Sequence, residues 1–397
     1  MSKNIVVCCD GTGNEINSHL SNVLKLYRMT CENKHQSRYY DPGVGTLGND
    51  KPWSRHLLRA NKVFGLATGQ GLDENILDAY RYLITNYEHG DRIFLFGFSR
   101  GAYTIRSLAG LVYQIGILRP EQMNLANYAL TAYRRVPFQK NRDSAWRFSR
   151  VTNARRAEIA FMGMWDTVSS IIAPRPDMFL HITFHNLPHT RKNPAVKVVR
   201  QAAAIDEKRR MFRLSTWQEN QKFKPSPFEG ASQAQDFQQV WFAGSHSDVG
   251  GGYPEEESSL AKYPLEWMIM EARRKGLLID EELFGRLVLG NERKGSKRQY
   301  VGPDHKGQYH DSMSAAWKTL EYLPKRTKWQ QWPDKRSLLG LYIPLSELRW
   351  INEGSLIHHS VIDRMSSIAN YRPINLPDNY KVVAPYKRTE PAVPASA

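Results

Sequence analysis

A chain of 397 residues with 41% hydrophobic and 11% aromatic residues carries enough apolar material for a large folded core, and its formal net charge of +16 is too scattered for a disordered basic tail. No apolar run reaches the length that spans a bilayer. Residues 1–10 read as a first strand and not as a signal peptide, so the expected place of folding is the cytosol, unless a secretion machine delivers the chain without a cleaved leader. Cys8, Cys9 and Cys31 make neither a C-x-x-C pair nor an even framework, which argues against a disulfide scaffold and against zinc. The charge suits an anionic membrane or an acidic substrate, whereas nucleic acid is not expected, since no RNP motif, zinc finger or helix-turn-helix accompanies it.

In chain order, residues 5–9 form an apolar, β-branched run, a buried strand by pattern, that ends in the glycine-rich turn Asp10-Gly11-Thr12-Gly13-Asn14. A short amphipathic helix is expected at 22–29, then a strand around Arg38-Tyr39-Tyr40 before Asp41-Pro42-Gly43-Val44-Gly45-Thr46. Residues 71–88 space Leu72, Ile76, Leu77, Tyr80, Leu83, Ile84 and Tyr87 on one helical face. Residues 93–96 are another buried strand, followed at once by Gly97-Phe98-Ser99-Arg100-Gly101 and by helical spacing from 102 to 111. Residues 117–157 are basic and aromatic and are expected to form a cap, as is 167–195. Residues 157–164 and 239–243 read as strands, 196–206 as a helix, and 258–275 as a helix. Within 171–194, His181, His185 and His189 recur every four residues, but prolines interrupt the stretch and no carboxylate joins them, so a metal site is not expected. Residues 290–312 read as loop, 313–350 are rich in tryptophan and lysine, and the tail beyond 385 has a disordered composition.

The repeated order of strand, glycine-rich turn and helix predicts an α/β fold with a mostly parallel central sheet, helices on its faces and loops converging at the strands' carboxyl ends. One domain is expected over 1–384. In that fold G-x-S-x-G between strand and helix makes a nucleophile elbow. Small residues two before and two after the serine let a tight turn lift its hydroxyl above the sheet. Ser99 then needs a base and an orienting acid, and in such hydrolases the chain order is nucleophile, acid, histidine. Asp166 and His246 follow later strands in that order; Asp248 is an alternative acid, and His358 and His359 are alternative bases. Backbone N–H groups of Arg100 and of Gly11 or Thr12 are the candidate oxyanion donors. No metal or organic cofactor is required. An aspartyl phosphatase is disfavoured because Cys8 stands where D-x-D-G-T needs its first aspartate, and a P-loop is excluded because no Gly-Lys-Ser/Thr follows the elbow.

The ordered set formed by residues 9–14, 43–46, 97–102, 163–168 and 246–253 resembles the α/β-hydrolase family that includes the catalytic domains of type VI secretion phospholipase effectors, over about residues 3–275; residues 357–361 are similar to a later family segment. Gly13 departs from it, standing where the family more often has a bulky aromatic residue. The resemblance implies Ser99 as nucleophile with Asp166 and His246 as partners, hydrolysis of lipid esters, and a secretion or immunity partner. Residues 134–156 carry eight Arg or Lys against Asp143 alone, with Phe138, Trp146 and Phe148 among them. This segment, with Arg142, Arg147 and Arg150, is the expected contact with an anionic membrane surface. A small-molecule esterase, and a non-catalytic protein of the same fold that binds an anionic partner, are the competing readings.

Overall fold

A computed structural model describes residues 2–11, 19–43, 70–135, 143–168, 170–175, 178–184, 187–224, 232–296, 298–327, 331–332 and 336–386. Thr12, Gly13, residues 44–46, Phe138, Arg142, His185 and the tail from 387 lie outside the described residues. Eight strands form one sheet: β1 (Asn4–Cys9), β2 (Gln36–Asp41), β3 (Arg92–Phe98), β4 (Ile159–Trp165), β5 (Val198–Ala204), β6 (Asp236–Phe242), β7 (Ser355–His358) and β8 (Tyr380–Val383). Their spatial order is β8-β7-β6-β5-β4-β3-β1-β2, and every neighbouring pair is parallel. Parallel strands need crossovers, and the helices that supply them cover both faces. The central strands are therefore buried on both sides and read as continuous apolar runs such as Ile-Phe-Leu-Phe in β3.

One face carries α2 (Gln70–Asn86) and α3 (Arg100–Gln114), and the other carries α1 (Asn22–Met29) and α7 (Ser259–Arg273). The stretch expected as a cap at 117–157 joins the first of these layers. Its helices α4 (Ala126–Arg135) and α5 (Asp143–Val151) bury Ala126, Ala129, Leu130, Tyr133 and Ala145 in the same cluster as α2 and α3. Phe148 packs against that cluster and Arg150 covers Trp146 with its guanidinium 4.7 Å from the ring, so these aromatics are partly withdrawn from solvent. The 167–195 stretch does leave the sheet, as an antiparallel hairpin of Ser170–Arg175 with Met178–Phe184. His181 lies in that hairpin and His189 beyond it, its ring edge against Tyr113 at 4.8 Å. A four-residue spacing gathers side chains on a helix and not on a strand, so the histidine pattern loses its geometric basis.

The helix expected at 196–206 is instead β5. Its alanines, arginine and glutamine favour a helix in isolation, but the strand sits between β4 and β6, where specific partners satisfy its polar side chains. Buried Arg200 pairs with Glu271 at 2.5 Å and Asp236 at 2.8 Å. Gln201 accepts a hydrogen bond from the buried Arg106 guanidinium at 3.1 Å. The C-terminal part supplies the last two strands and the helix His359–Ser367, and residues 290–296 and 298–312 run as irregular chain, as expected for 290–312. No described helix is long and apolar enough to cross a membrane.

Candidate active site

The register of the sheet brings four strand ends together: Phe98 pairs with Trp165, Trp165 with Ala202, and Ala204 with Phe242. Ser99 follows β3 directly, Asp166 follows β4, and His246 opens the short helix α6 (His246–Gly250) four residues after β6. Ser99 takes φ 56° and ψ −120°, a conformation that a non-glycine residue holds only under constraint. The constraint is visible. Ser99 N–H donates to Trp165 O at 3.0 Å, and Ser99 O accepts from Val168 N–H at 3.3 Å. A Cβ on Gly97 would stand 2.6 Å from Gly101 O, and one on Gly101 would stand 2.1 Å from Cys9 O. Both glycines of the G-x-S-x-G motif are thus demanded by close backbone approach, and the start of α3 is pressed against the end of β1.

Ser99 Oγ lies 2.8 Å from His246 Nε2, and His246 Nδ1 lies 2.5 Å from Asp166 Oδ2. With its Nδ1 facing a carboxylate, the imidazole carries its proton there and leaves Nε2 to accept from the serine hydroxyl. Asp166 is wholly buried, His246 nearly so, and Ser99 is the most accessible of the three at 8%. The imidazole is fixed by two rings, Phe98 at 4.7 Å and Phe212 edge-on at 4.8 Å.

Asp166 has a second partner that the sequence did not flag. Arg349 grips its carboxylate with both terminal nitrogens, Nη1 to Oδ1 at 2.5 Å and Nη2 to Oδ2 at 2.8 Å, and Ala204 N–H donates to Oδ1 at 2.9 Å. Arg349 is itself buried and donates further to the carbonyls of Ala204, at 3.1 Å, and Phe212. Burial opposes charge on Asp166, but the Arg349 guanidinium and the hydrogen bond from His246 hold its carboxyl well below the usual range. Behind it, Arg106 fastens Thr167 through Nη2–Oγ1 at 3.0 Å.

The loop bearing His246 is held by two further side chains. Glu207 Oε2 accepts from His246 N–H at 3.1 Å; burial raises the Glu207 carboxyl, and Arg209, bonded to it at 2.8 Å, more than offsets this and keeps it low. Asp248, the alternative acid, accepts from Ser245 N–H at 2.9 Å and pairs with His310 at 2.7 Å. It caps α6, and the imidazole of His246 faces Asp166 instead. His310 also meets Glu257 at 3.0 Å and stacks on Tyr253. The hydrogen bond to Asp248 raises the His310 pKa, against burial, and Glu257 adds to it. A histidine whose folded value lies above its unfolded value of about 6.5 gives its full stabilisation below that pH and loses it as pH rises through the folded value. Thermal midpoints measured across about pH 6–8 are therefore expected to fall more steeply for the wild type than for His310→Asn; parallel curves would remove this role.

The alternative bases lie elsewhere. His358 stacks on Phe242 at 4.5 Å and its Nδ1 bonds Ser360 Oγ at 2.9 Å; burial drives its pKa well down. His359 pairs with Asp363 at 2.8 Å. Of the oxyanion candidates, Arg100 is the first residue of α3, beside Ser99. Gly11 N–H donates to Asp10 Oδ1 at 2.7 Å, a carboxylate that also takes hydroxyl bonds from Ser21 and, at 2.9 Å, Tyr40. Asp10 is thus tied into the β1–β2 end, and the Gly11 amide is directed at it.

Glu207, His310 and Arg349 were missed. Glu207 lies just beyond the stretch expected as a helix at 196–206, and the other two lie in loops without a motif. A parallel α/β sheet whose elbow serine meets an aspartate and a histidine from later strand ends is an α/β-hydrolase-like protein. Over residues 3–271 the chain matches the model for "T6SS, Phospholipase effector Tle1-like, catalytic domain". It belongs to that family. Among similar proteins is an uncharacterized Saccharomyces cerevisiae protein, YEL023C, 30% identical over 226 residues, covering 53% of this chain and 32% of that protein. Among solved structures are an uncharacterized Pseudomonas aeruginosa protein (19% identity, 70% of this chain and 47% of that one, TM-score 0.39) and a Tle1 effector bound to the VgrG spike of the type VI secretion system (20% identity, 65% and 52%, TM-score 0.34). The chain thus spans from about a third to about half of the length of these relatives.

Proposed function

We propose that the protein is a serine acyl hydrolase that cleaves carboxylic esters, the acyl esters of phospholipids first among them. The observation that carries this reading is the hydrogen-bonded series Ser99–His246–Asp166 at the carboxyl edge of the sheet. Ser99 Oγ attacks the ester carbonyl carbon as its proton passes to His246 Nε2. The C–O bond breaks, the leaving alcohol takes that proton, and water releases the acyl group from Ser99 by the same path. Asp166 stabilises the imidazolium that forms between steps. The Arg100 N–H, at the positive end of the α3 dipole, meets the developing oxyanion; Thr12 is the second donor of this proposal. The protein's own residues supply every group these steps use.

The family supports lipid over small-molecule esters, and its type VI secretion effector character supports delivery of this chain by such a machine. Reaction with a fluorophosphonate probe tests the chemistry. Peptide mapping is expected to find the adduct on Ser99, and an unlabelled protein, or label at another serine, would defeat the proposal. In the same preparation, fatty acid released from phospholipid but not from soluble esters marks a phospholipase; the reverse marks a small-molecule esterase.

A further inference from the structure

We propose that the described residues 322–327 and 336–350 form a docking surface for an anionic lipid bilayer, joined to the candidate active site through Arg349. This goes beyond the hydrolase reading and rests on it only for what is cleaved after docking. Large hydrophobic side chains exposed to solvent are few among the described residues, and eight of the twelve fall between Tyr322 and Trp350. Scattered exposed leucines need no explanation, but a cluster on one excursion of the chain does. In the described part of the expected membrane segment at 134–156 one large hydrophobic, Val151, is exposed, and Phe148 packs on the core.

The cluster is one structure. Lys325–Arg326 pairs antiparallel with Leu341–Tyr342, and Thr327 N–H bonds Gly340 O at 2.9 Å. Leu345 N–H reaches Glu321 O at 3.3 Å, beside Tyr322. Leu338 and Leu341 exchange backbone bonds of 2.8 and 2.9 Å around the two-residue turn Leu339-Gly340, whose φ angles are 51° and 74°. A two-residue turn with both φ positive favours Asn-Gly. Here a leucine holds the position, resisting its backbone angle, with its side chain 92% exposed. Leu345, 53% exposed, also has φ 51°. Neither side chain contributes to the core, so their apolar character serves something outside the fold.

The charges favour an anionic surface. The described acidic side chain of the stretch, Glu347, turns inward to pair with Arg213 at 2.6 Å, and Glu321 just before the stretch accepts from Arg210 N–H at 2.8 Å. Arg326 and Arg336 stay exposed, as does Lys318 just before them. Leucines at a turn tip among outward cations insert between acyl chains while the cations meet phosphates. The same excursion touches the site. Trp317 lies edge-on to Phe212 at 5.5 Å, Phe212 edge-on to His246, and Arg349, at the end of the stretch, holds Asp166.

The test uses the Ser99→Ala protein, so that binding is read without turnover and a failure of the hydrolase reading stays distinct from a failure here. In flotation with phosphatidylcholine vesicles, with and without phosphatidylglycerol, the protein is expected to rise with the anionic vesicles and less so as salt increases. Adding Leu339→Asn and Leu345→Asn is expected to lower partitioning by roughly tenfold or more. The thermal midpoint should stay level or rise, because asparagine tolerates the left-handed backbone. Partitioning unchanged by the two substitutions would overturn the proposal. So would failure to float with either vesicle, which would turn the surface over to a protein partner.

Discussion

Replacing Ser99 with alanine is expected to lower ester turnover by about 10⁴- to 10⁶-fold while leaving the thermal midpoint near that of the wild type. The size follows from the site's dryness. With Asp166 wholly buried and His246 nearly so, the imidazole's outward nitrogen has the serine hydroxyl as its partner, and solvent is a poor substitute nucleophile there. The stability expectation follows from the backbone. The φ of 56° is imposed by bonds to Trp165 and Val168 that alanine keeps, so the strain is common to both proteins. Because serine and histidine act as a unit, a Ser99→Ala/His246→Ala protein should be no slower than either single variant. Measured kcat on a short-chain ester decides the matter: retention within tenfold by Ser99→Ala, or a further loss in the double variant, would break the proposed mechanism.

Replacing Arg349 with methionine is expected to cost about 3–5 kcal/mol of stability, the usual penalty for stranding one member of a buried ion pair, and about 100-fold or more in kcat/KM. The native Asp166 carboxyl is held low, so its favourable contribution exists above the unfolded value of about 3.9 and fades only as pH falls through the folded one. Without the guanidinium, burial pushes Asp166 upward. Where it protonates, the imidazole loses its acceptor, which moves the acid limb of the pH–rate profile toward neutrality. Arg349 acts through Asp166 and is a positioning residue, so that shift, rather than lost activity alone, identifies its role. Arg349→Lys restores charge without the two-pronged grip and should recover part of the rate. A profile superimposable on the wild type would contradict the assignment.

Much of the sheet could be read directly because buried parallel strands leave a plain mark. After a polar first residue in β1 and β3 the runs in β1, β3 and β4 are continuous in apolar residues, and the elbow between β3 and α3 carries its glycines where backbones nearly touch. Ser99, Asp166 and His246 were legible for the same reason: each follows a recognisable strand. β5 was lost because Arg200 and Gln201 sit in it as polar residues whose partners, Glu271 and Arg106, are remote in sequence. The acceptors and donors behind the site were lost on the same ground. Nothing within ten residues of Arg349 announces that its side chain will meet Asp166; only the folded path of the C-terminal segment brings them together. The membrane-facing expectation fell on 134–156 because charge and aromatic content are visible in a sequence, whereas the exposure of Leu339 depends on a turn.

The origin of Arg349 also orders events during synthesis. The family match ends at residue 271, about 80 residues before it, a distance a ribosome covers in roughly 4–16 s. For that interval a nascent chain can have β1, β3, β4, β5 and β6, and with them Ser99, Asp166 and His246, while the buried carboxylate lacks its guanidinium. The charge balance at Asp166 is thus completed only after the matched region has been made, and a polypeptide interrupted between residues 271 and 349 carries the serine of the elbow without it.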